Sequence, residues 1–471
     1  MSQRTTEGRL ARAGPQPLPI MAKVPRMKNR VLLAVVGIAA AGMLVACSLF
    51  DPDDESGPVE DAEESVACDE TAQSISTTLS SGVTWAMCWG VDPQQGLMLS
   101  DIHVAAPGGE PVQLMESLSI AQLEVPYDTG ERSTFDITSA GFGGRKMHTL
   151  TEDECTGDRI AIAVPDIGDG SFGDSPEREV LCSEVKDGGL AYRSHDGARL
   201  TTDRKDEWRL WTISKVGWYE YITQYTFGAD GSITPSLGAT GDLSPVDYTD
   251  ERHGWDVGSE HESEHAANHS HNVVWKVHWA LAGGEDVAVE QFDAERTGEL
   301  GPKSPVLDGR LTRIERPATA LRADRRWWRV INPAVENDDG HPISYQIDVG
   351  ATDSFTFTPD EEEHGHEAGY DIAFTNHDEC QVFASKNRGS CGAGVLDYVA
   401  QAQDHALEDV VAWVAVGYHH VPRDEEQSPM ELHWQGFSMI PRDLTAQRMD
   451  LPEGRGDVNG RPEEYEGPIP E

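Results

Sequence analysis

The fold class is decided by one stretch of the chain, Trp211-Thr212-Ile213-Ser214-Lys215-Val216-Gly217-Trp218-Tyr219-Glu220-Tyr221-Ile222-Thr223-Gln224-Tyr225-Thr226-Phe227. It is short of helix formers and rich in aromatic and β-branched residues, which fit the pleated, half-buried surface of a strand. Residues 273–279 have the same character. Glycine and proline interrupt the chain at short intervals, and long amphipathic helical periods are scarce. The sequence therefore predicts an all-β protein built on a large antiparallel β-sandwich.

Two histidines downstream of this stretch are spaced to bind one metal ion. In an extended strand, residues two apart project from the same face, so His269 and His271 can reach the same ion. A third imidazole would complete a neutral site that suits copper or zinc, of which copper(II) binds more tightly. Alternatively, the pair belongs to a solvated loop, because the preceding residues 260–265 are strongly polar. Spacing alone leaves both interpretations open.

The order of three motifs resembles the catalytic domain of the copper amine oxidases. The matching segments are Val216-Gly217-Trp218-Tyr219-Glu220-Tyr221, His269-Ser270-His271 after His253-Gly254, and Gly417-Tyr418-His419-His420-Val421-Pro422. The resemblance implies the large β-sandwich of that family, also called its supersandwich. It implies that Tyr219 is the precursor of a topaquinone cofactor. It also implies that His269, His271 and His420 bind copper(II), with His419 as a neighbour and not a ligand.

Segments farther upstream extend the resemblance to the proton-transfer machinery. The segment Leu118-Ser119-Ile120-Ala121-Gln122-Leu123-Glu124-Val125-Pro126-Tyr127 is similar to the family's Leu-Ser-x-Ala-Glu-x-x-Val-Pro-Tyr, and residues 134–138 resemble its Tyr-Phe-Asp-x-Gly. The resemblance implies that Asp136 is the catalytic base and that Tyr127 hydrogen-bonds the quinone oxygen. The loop between these two residues is shorter than in the family. Asp136 would work best if burial raised its pKa from an ordinary value of about 3.9.

Two positions depart from the family pattern. Trp218 replaces the asparagine before the quinone tyrosine and is a larger group with a single N–H donor. Alternation along a strand predicts that Trp218 faces away from Tyr219 and covers one flank of the site, and the alternative is that it fills the core. His278 stands where the family usually has an aspartate ligand of a peripheral cation. Asp409 matches only the other end of that site, so we do not predict calcium.

The start of the chain resembles a bacterial lipoprotein signal. Basic residues at 28–30 precede an apolar run over 31–45, which ends in Leu44-Val45-Ala46-Cys47. A membrane-spanning helix needs about 20 apolar residues, so cleavage and lipid attachment at Cys47 are favoured over a transmembrane anchor. This predicts a protein on the extracellular face of a bacterial cell membrane, touching the membrane only through that lipid. Residues 1–26 either belong to the chain or reflect an over-extended start.

The domain boundaries follow from composition. Residues 1–47 are assigned to an N-terminal extension and signal peptide, and 48–70 to an acidic disordered tether. Residues 71–450 form the predicted catalytic domain, and 451–471 a disordered acidic tail. The smaller N-terminal domains that many family members carry are expected to be absent. The resemblance implies a homodimer.

The cysteines fit an oxidising compartment. Of seven cysteines, six are left after lipidation of Cys47, an even number that would pair there. The resemblance implies the pair Cys155 and Cys182. The remaining local choices are Cys68 with Cys88 and Cys380 with Cys391, and the alternative is that some of these stay free and buried.

Charge and motifs together define two candidate functions. The net charge of −45 argues against binding nucleic acid, whereas it either attracts cationic amines or serves solubility. The resemblance implies that a primary amine is oxidised by dioxygen to aldehyde, ammonia and hydrogen peroxide. The alternative is a catalytically inactive, copper-binding cell-surface lipoprotein with the same fold, since Trp218 could prevent quinone formation.

Overall fold

The computed structural model describes residues 66–164, 177–196, 199–258, 264–284, 286–350, 352, 369–387, 391–426 and 428–452. All of them fall within one compact unit, Ala62–Glu471. The predicted signal with Cys47, most of the tether and all but the start of the tail lie outside these residues. Among the described residues, no helix is long and apolar enough to cross a membrane.

Antiparallel strands dominate the described part of the chain. The first sheet has nine strands: β1 (Gln73–Thr78), β2 (Thr84–Asp92), β3 (Gly96–Ala105), β4 (Val112–Pro126), β5 (Ser133–Phe135), β14 (His269–Trp279), β17 (Ala318–Ala320), β20 (Ile372–Asn376) and β21 (Val410–His420). The second has eleven: β6 (Asp158–Ala163), β7 (Glu177–Asp196), β8 (Arg199–Val216), β9 (Tyr219–Gly228), β10 (Ile233–Gly241), β15 (Ala288–Leu300), β16 (Pro305–Ile314), β18 (Trp327–Glu336), β19 (Pro342–Asp348), β22 (Met430–Gly436) and β23 (Ser438–Arg442).

Smaller elements connect and flank these sheets. A three-stranded sheet contains β11 (Tyr248–Thr249), β12 (Gly254–Trp255) and β13 (His265–Ala267). The described helices are α1 (Asp136–Ser139) and α2 (Val395–Gln401), with 3₁₀ turns at Gly144–Lys146 and Asp424–Glu426. In the first sheet the order is β1-β2-β3-β4-β14-β21-β20-β17, with β5 paired to β4. In the second it is β16-β15-β18-β19-β23-β10-β9-β8-β7-β6, with β22 paired to β10.

The two large sheets pack face to face through buried aromatic side chains. Trp85 of β2 contacts Phe227 of β9 with ring centroids 5.0 Å apart, and Tyr225 of β9 contacts Trp275 of β14 at 5.5 Å. All four residues are buried, and aromatic burial of this kind dominates core energetics. The predicted all-β fold with a large antiparallel β-sandwich is confirmed.

The stretch that predicts the fold is a hairpin and not one continuous strand. Val216 at the end of β8 pairs with Tyr219 at the start of β9, which leaves Gly217 and Trp218 as a two-residue turn. Gly217 has a φ of +62°, a conformation that glycine adopts at low cost. Trp218 is 44% exposed, so the idea that it fills the core is wrong. Trp218 lies in the turn and not within a strand, so strand alternation does not apply to it, and its predicted cover of one flank of the site stays a prediction.

Three disulfides link the described segments. The pair implied by the resemblance, Cys155–Cys182, is present. The two local choices, Cys68–Cys88 and Cys380–Cys391, are present as well. All three predicted pairings are thereby confirmed.

Candidate metal centre

Three histidine side chains meet inside the sandwich. His269, His271 and His420 are at most 3% exposed, and each offers a ring nitrogen within 4.8 Å of the other two. His269 and His271 share a face of β14, and the strand register sets His420 of β21 directly opposite His269. The solvated-loop interpretation is therefore wrong. His419 projects from the other face, where its Nε2 lies 3.1 Å from the Asp128 carboxylate.

Hydrogen bonds to the outer nitrogens of His269 and His420 determine which nitrogen of each ring carries the proton, and they leave the other nitrogen free to bind a metal. His269 Nδ1 lies 2.9 Å from the Ala267 carbonyl oxygen, so Nδ1 donates and Nε2 carries the lone pair. His420 Nε2 lies 3.0 Å from the Glu426 carboxylate, so Nε2 donates and Nδ1 carries the lone pair. His271 Nε2 is buried and has no hydrogen-bond partner among the described residues. An orphaned buried nitrogen is costly, and a metal ion would supply its missing partner.

The hydroxyl of Tyr219 is placed against two of these lone pairs. Its oxygen lies 2.7 Å from His269 Nε2 and 3.1 Å from His420 Nδ1. The single phenolic proton can be donated to only one of these two nitrogens, so the other nitrogen receives no hydrogen bond from Tyr219. A cation would supply that nitrogen with a partner, and the neutral nitrogen donors suit copper or zinc. The residues present therefore fit a metal ion.

Burial keeps the three imidazoles in the form that binds metal. It lowers the pKa of His269 to about 3, with His420 adding to the effect. Burial also lowers the pKa of His420, and it holds that of His271 well below its usual range. The rings are thus neutral at ordinary pH, and protons do not compete for the nitrogens. Burial raises the pKa of Tyr219 well above its usual value, whereas a nearby cation would oppose that shift.

A buried carboxylate lies beside the cluster. Asp136 is the first residue of α1 and directly follows β5, whose partner β4 pairs with the histidine strand β14. Its side chain is only 6% exposed, and burial raises its pKa to about 6, partly offset by hydrogen bonds from Thr134 and Tyr221. The Tyr221 hydroxyl lies 3.4 Å from Asp136 Oδ2. The chain therefore places a carboxyl group with a shifted pKa next to the three histidines.

Tyr127 borders the cluster on another side. Its ring stacks on His269 with centroids 5.0 Å apart and an interplanar angle of 27°. Its hydroxyl donates to Asp247 at 3.2 Å, and Arg132 contacts the same carboxylate while lying over the Tyr127 ring at 4.9 Å. Burial and Asp247 raise the pKa of Tyr127. All six residues predicted for the site therefore lie in one neighbourhood.

Sequence reasoning missed the carboxylate that supports His420. Glu426 is 1% exposed and accepts from His420 Nε2 and from the Arg423 backbone N–H, while its other oxygen lies 2.8 Å from His433 Nε2. It sits in the acidic run Asp424-Glu425-Glu426. Nothing in that run indicates which of the three carboxylates is buried. Tyr221 was missed too, although it lies within the motif that identifies Tyr219.

His278, the second residue that departs from the family pattern, hydrogen-bonds a carboxylate. His278 Nε2 lies 2.7 Å from the Asp409 carboxylate, and its ring stacks on His377 at 4.2 Å with an interplanar angle of 4°. His278 and Asp409 thus contact each other directly through a hydrogen bond.

Comparison with known proteins identifies a family that this chain matches. A model of the copper amine oxidase enzyme domain matches residues 81–453. Histamine oxidase from Arthrobacter globiformis is 24% identical over 379 residues, covering 76% of this chain and 54% of that protein. Primary amine oxidase from Arthrobacter sp. (strain P1) is 24% identical over 407 residues, covering 80% of this chain and 60% of that protein.

A solved structure has the same fold. The copper-containing benzylamine oxidase from Hansenula polymorpha superposes with a TM-score of 0.67 at 21% identity, covering 79% of this chain and 62% of that one. The chain thus spans between about half and two thirds of the length of these relatives. Since the family model covers most of its length, this chain belongs to the copper amine oxidase family, whose enzyme domain it matches.

Proposed function

We propose that this protein is a copper- and topaquinone-dependent primary amine oxidase, which converts an amine and dioxygen to aldehyde, ammonia and hydrogen peroxide. The observation that carries the proposal is the Tyr219 phenol oxygen, set 2.7 Å and 3.1 Å from two nitrogens of a buried three-histidine cluster. A phenol in that position is next to any metal that the histidines bind. Family membership supports the reaction class.

The ligands of the metal are proposed to be His269 Nε2, His271 Nε2 and His420 Nδ1. Bound copper(II) and a quinone made from Tyr219 supply the redox chemistry and the electrophilic carbonyl. Zinc would fit the same nitrogens but has no redox chemistry, so a zinc-loaded protein is expected to be inactive.

Asp136 is proposed as the general base that takes a proton from the α-carbon of the bound amine. Burial raises its pKa to about 6, so it is ionised at neutral pH and still basic enough to accept a proton. The Asp136 side chain is only 6% exposed, which limits its contact with water. Tyr127 is proposed to hydrogen-bond the quinone oxygen.

The proposed setting is the extracellular face of a bacterial membrane, with lipid on Cys47 and a homodimer of catalytic domains spanning residues 71–450. The net charge of −45 would draw cationic amines toward such a protein. Nucleic acid is not an expected partner.

A second candidate function is copper binding without turnover, and the observation that favours it is Trp218 in the turn before Tyr219. The test is to reconstitute the metal-free protein in air with copper(II) or with zinc(II) and assay peroxide formation with a panel of primary amines. We expect activity only with copper, and none in copper-loaded Tyr219→Phe. A parent that binds one copper and yet oxidises no amine would favour the second function.

A further inference from the structure

Tyr221 lies between the candidate base and the candidate metal centre. It is 1% exposed, and its hydroxyl oxygen lies 3.4 Å from Asp136 Oδ2 and 3.3 Å from His271 Nδ1. Tyr221 and Tyr219 project from the same face of β9, because they are two residues apart. One hydroxyl thus reaches both a carboxylate on α1 and an imidazole on β14.

The ring that carries this hydroxyl packs against two other aromatic rings. The Tyr219 ring centroid lies 5.7 Å from that of Tyr221 with an interplanar angle of 15°, and the Phe142 centroid lies 5.2 Å from it at 18°. Close packing of this kind restricts the movement of a buried ring. The core therefore helps to hold the hydroxyl in position.

Once a metal is bound, the donor and the acceptor of both Tyr221 hydrogen bonds are fixed. Nδ1 of His271 lies beside the Tyr221 oxygen, and Nε2 has no partner among the described residues. We therefore assign the ring proton to Nδ1, which donates to Tyr221, and this leaves the Nε2 lone pair for the metal. Tyr221 then donates its single proton to Asp136 Oδ2.

We propose that Tyr221 is a positioning residue with two roles: it fixes His271 with Nε2 toward the metal, and it orients the Asp136 carboxylate. The second role rests on the proposed amine oxidase function, whereas the first requires only that the cluster binds a metal. Hydrogen-bond partners of metal-binding histidines typically contribute 10- to 100-fold to metal affinity or activity. Loss of one hydroxyl should therefore weaken copper binding and disturb the base together.

The test is Tyr221→Phe, which removes the hydroxyl and keeps the ring that packs against Tyr219 and Phe142. We expect copper(II) affinity, measured by competition with a chelator, to fall about 10- to 100-fold. In pulsed EPR of the copper protein, the remote-nitrogen coupling of one imidazole should change, since Nδ1 of His271 loses its acceptor. The acid limb of kcat/KM should move to higher pH, because the ionised form of Asp136 loses a donor.

The matched control is Tyr225→Phe, on the same face of β9. Tyr225 is fully buried, and within the described part of the chain its hydroxyl donates only to the backbone carbonyls of Leu97 and Leu118, at 3.3 Å and 3.4 Å. This control should lose comparable stability and keep the copper affinity and imidazole coupling of the parent. Equal effects in both variants, or parental copper binding in Tyr221→Phe, would overturn the proposal. Weakened copper binding in Tyr221→Phe, from a parent that oxidises no amine, would support the His271 role and count against the proposed function.

Discussion

At the residue scale, one carboxylate decides which nitrogen of His420 is free. Glu426 accepts a hydrogen bond from the Nε2–H of His420, which leaves the Nδ1 lone pair to face the Tyr219 hydroxyl. Had the proton been on Nδ1, His420 would offer the cluster a donor in place of a lone pair. Glu426, which does not face the metal centre itself, therefore determines which nitrogen His420 can offer to a metal.

Glu426→Gln tests this point. The amide keeps the size of the side chain but loses its charge, so we expect copper affinity to fall about 10-fold. Glu425→Gln is the control, because Glu425 is an exposed neighbour in the same turn. A chelator competition giving equal affinity for both variants and the parent would show that Glu426 does not hold His420.

The base gives a pH dependence with a defined sign. Burial raises the pKa of Asp136 from 3.8 to about 6, so the carboxyl is protonated below pH 6 and cannot accept a proton. We expect kcat/KM for a primary amine to fall tenfold per pH unit below about 6, and Asp136→Asn to lose activity at every pH. An acid limb near pH 4 would mean that Asp136 is not the base or is not buried.

The raised pKa of Asp136 also makes the stability of the fold depend on pH. Activity is expected to rise with pH, whereas this contribution to stability falls. A carboxyl whose pKa is raised by folding stabilises the folded state below its unfolded pKa of 3.8, and that contribution is lost as pH rises through about 6. At pH 8 the buried charge costs roughly 3 kcal/mol. The inactive Asp136→Asn variant should therefore unfold at a higher temperature than the parent at pH 8, with the difference vanishing near pH 4.

At the element scale, the β8–β9 hairpin shows what the sequence could and could not predict. The aromatic and β-branched pattern correctly predicts β structure for the stretch, but it does not separate β8 from β9. The pattern does not predict the turn between them, because Trp218 is a residue type that favours strands and Gly217 is also tolerated within strands. The pair His269 and His271 is predicted by its spacing, whereas the pairing of His269 with His420 depends on a register between distant segments that only the family resemblance supplies.

Trp218→Asn tests the assignment of the turn. Because the side chain is 44% exposed, we expect the free energy of unfolding to change by less than about 0.5 kcal/mol. Gly217→Val places a β-branched residue at a φ of +62° and should destabilise by about 1–3 kcal/mol. Urea unfolding that showed a loss of about 3 kcal/mol or more for Trp218→Asn would indicate a core tryptophan and contradict this assignment.

At the scale of the whole molecule, the candidate site exists only when both sheets pack together. The first sheet contributes the three histidines, and the second contributes Tyr219 and Tyr221. Metal binding should therefore stabilise the whole sandwich, since the unfolded chain has no such site.

Copper(II) at about 100 times its Kd should stabilise the folded protein by about 2.7 kcal/mol, visible as a higher melting temperature. His271→Ala should lose most of that increase, while His419→Ala, on the other face of β21, should keep it. An equal increase in the parent and His271→Ala would place the copper elsewhere.

Tyr219 is proposed to become a quinone beside copper. The most direct test is to titrate the copper-loaded, aerobically matured protein with phenylhydrazine, follow visible absorbance, and map the labelled peptide by mass spectrometry. We predict one coloured adduct per chain on Tyr219, and none in Tyr219→Phe. A parent that binds one copper per chain and forms no adduct, or forms one on another residue, would show that Tyr219 does not become the quinone.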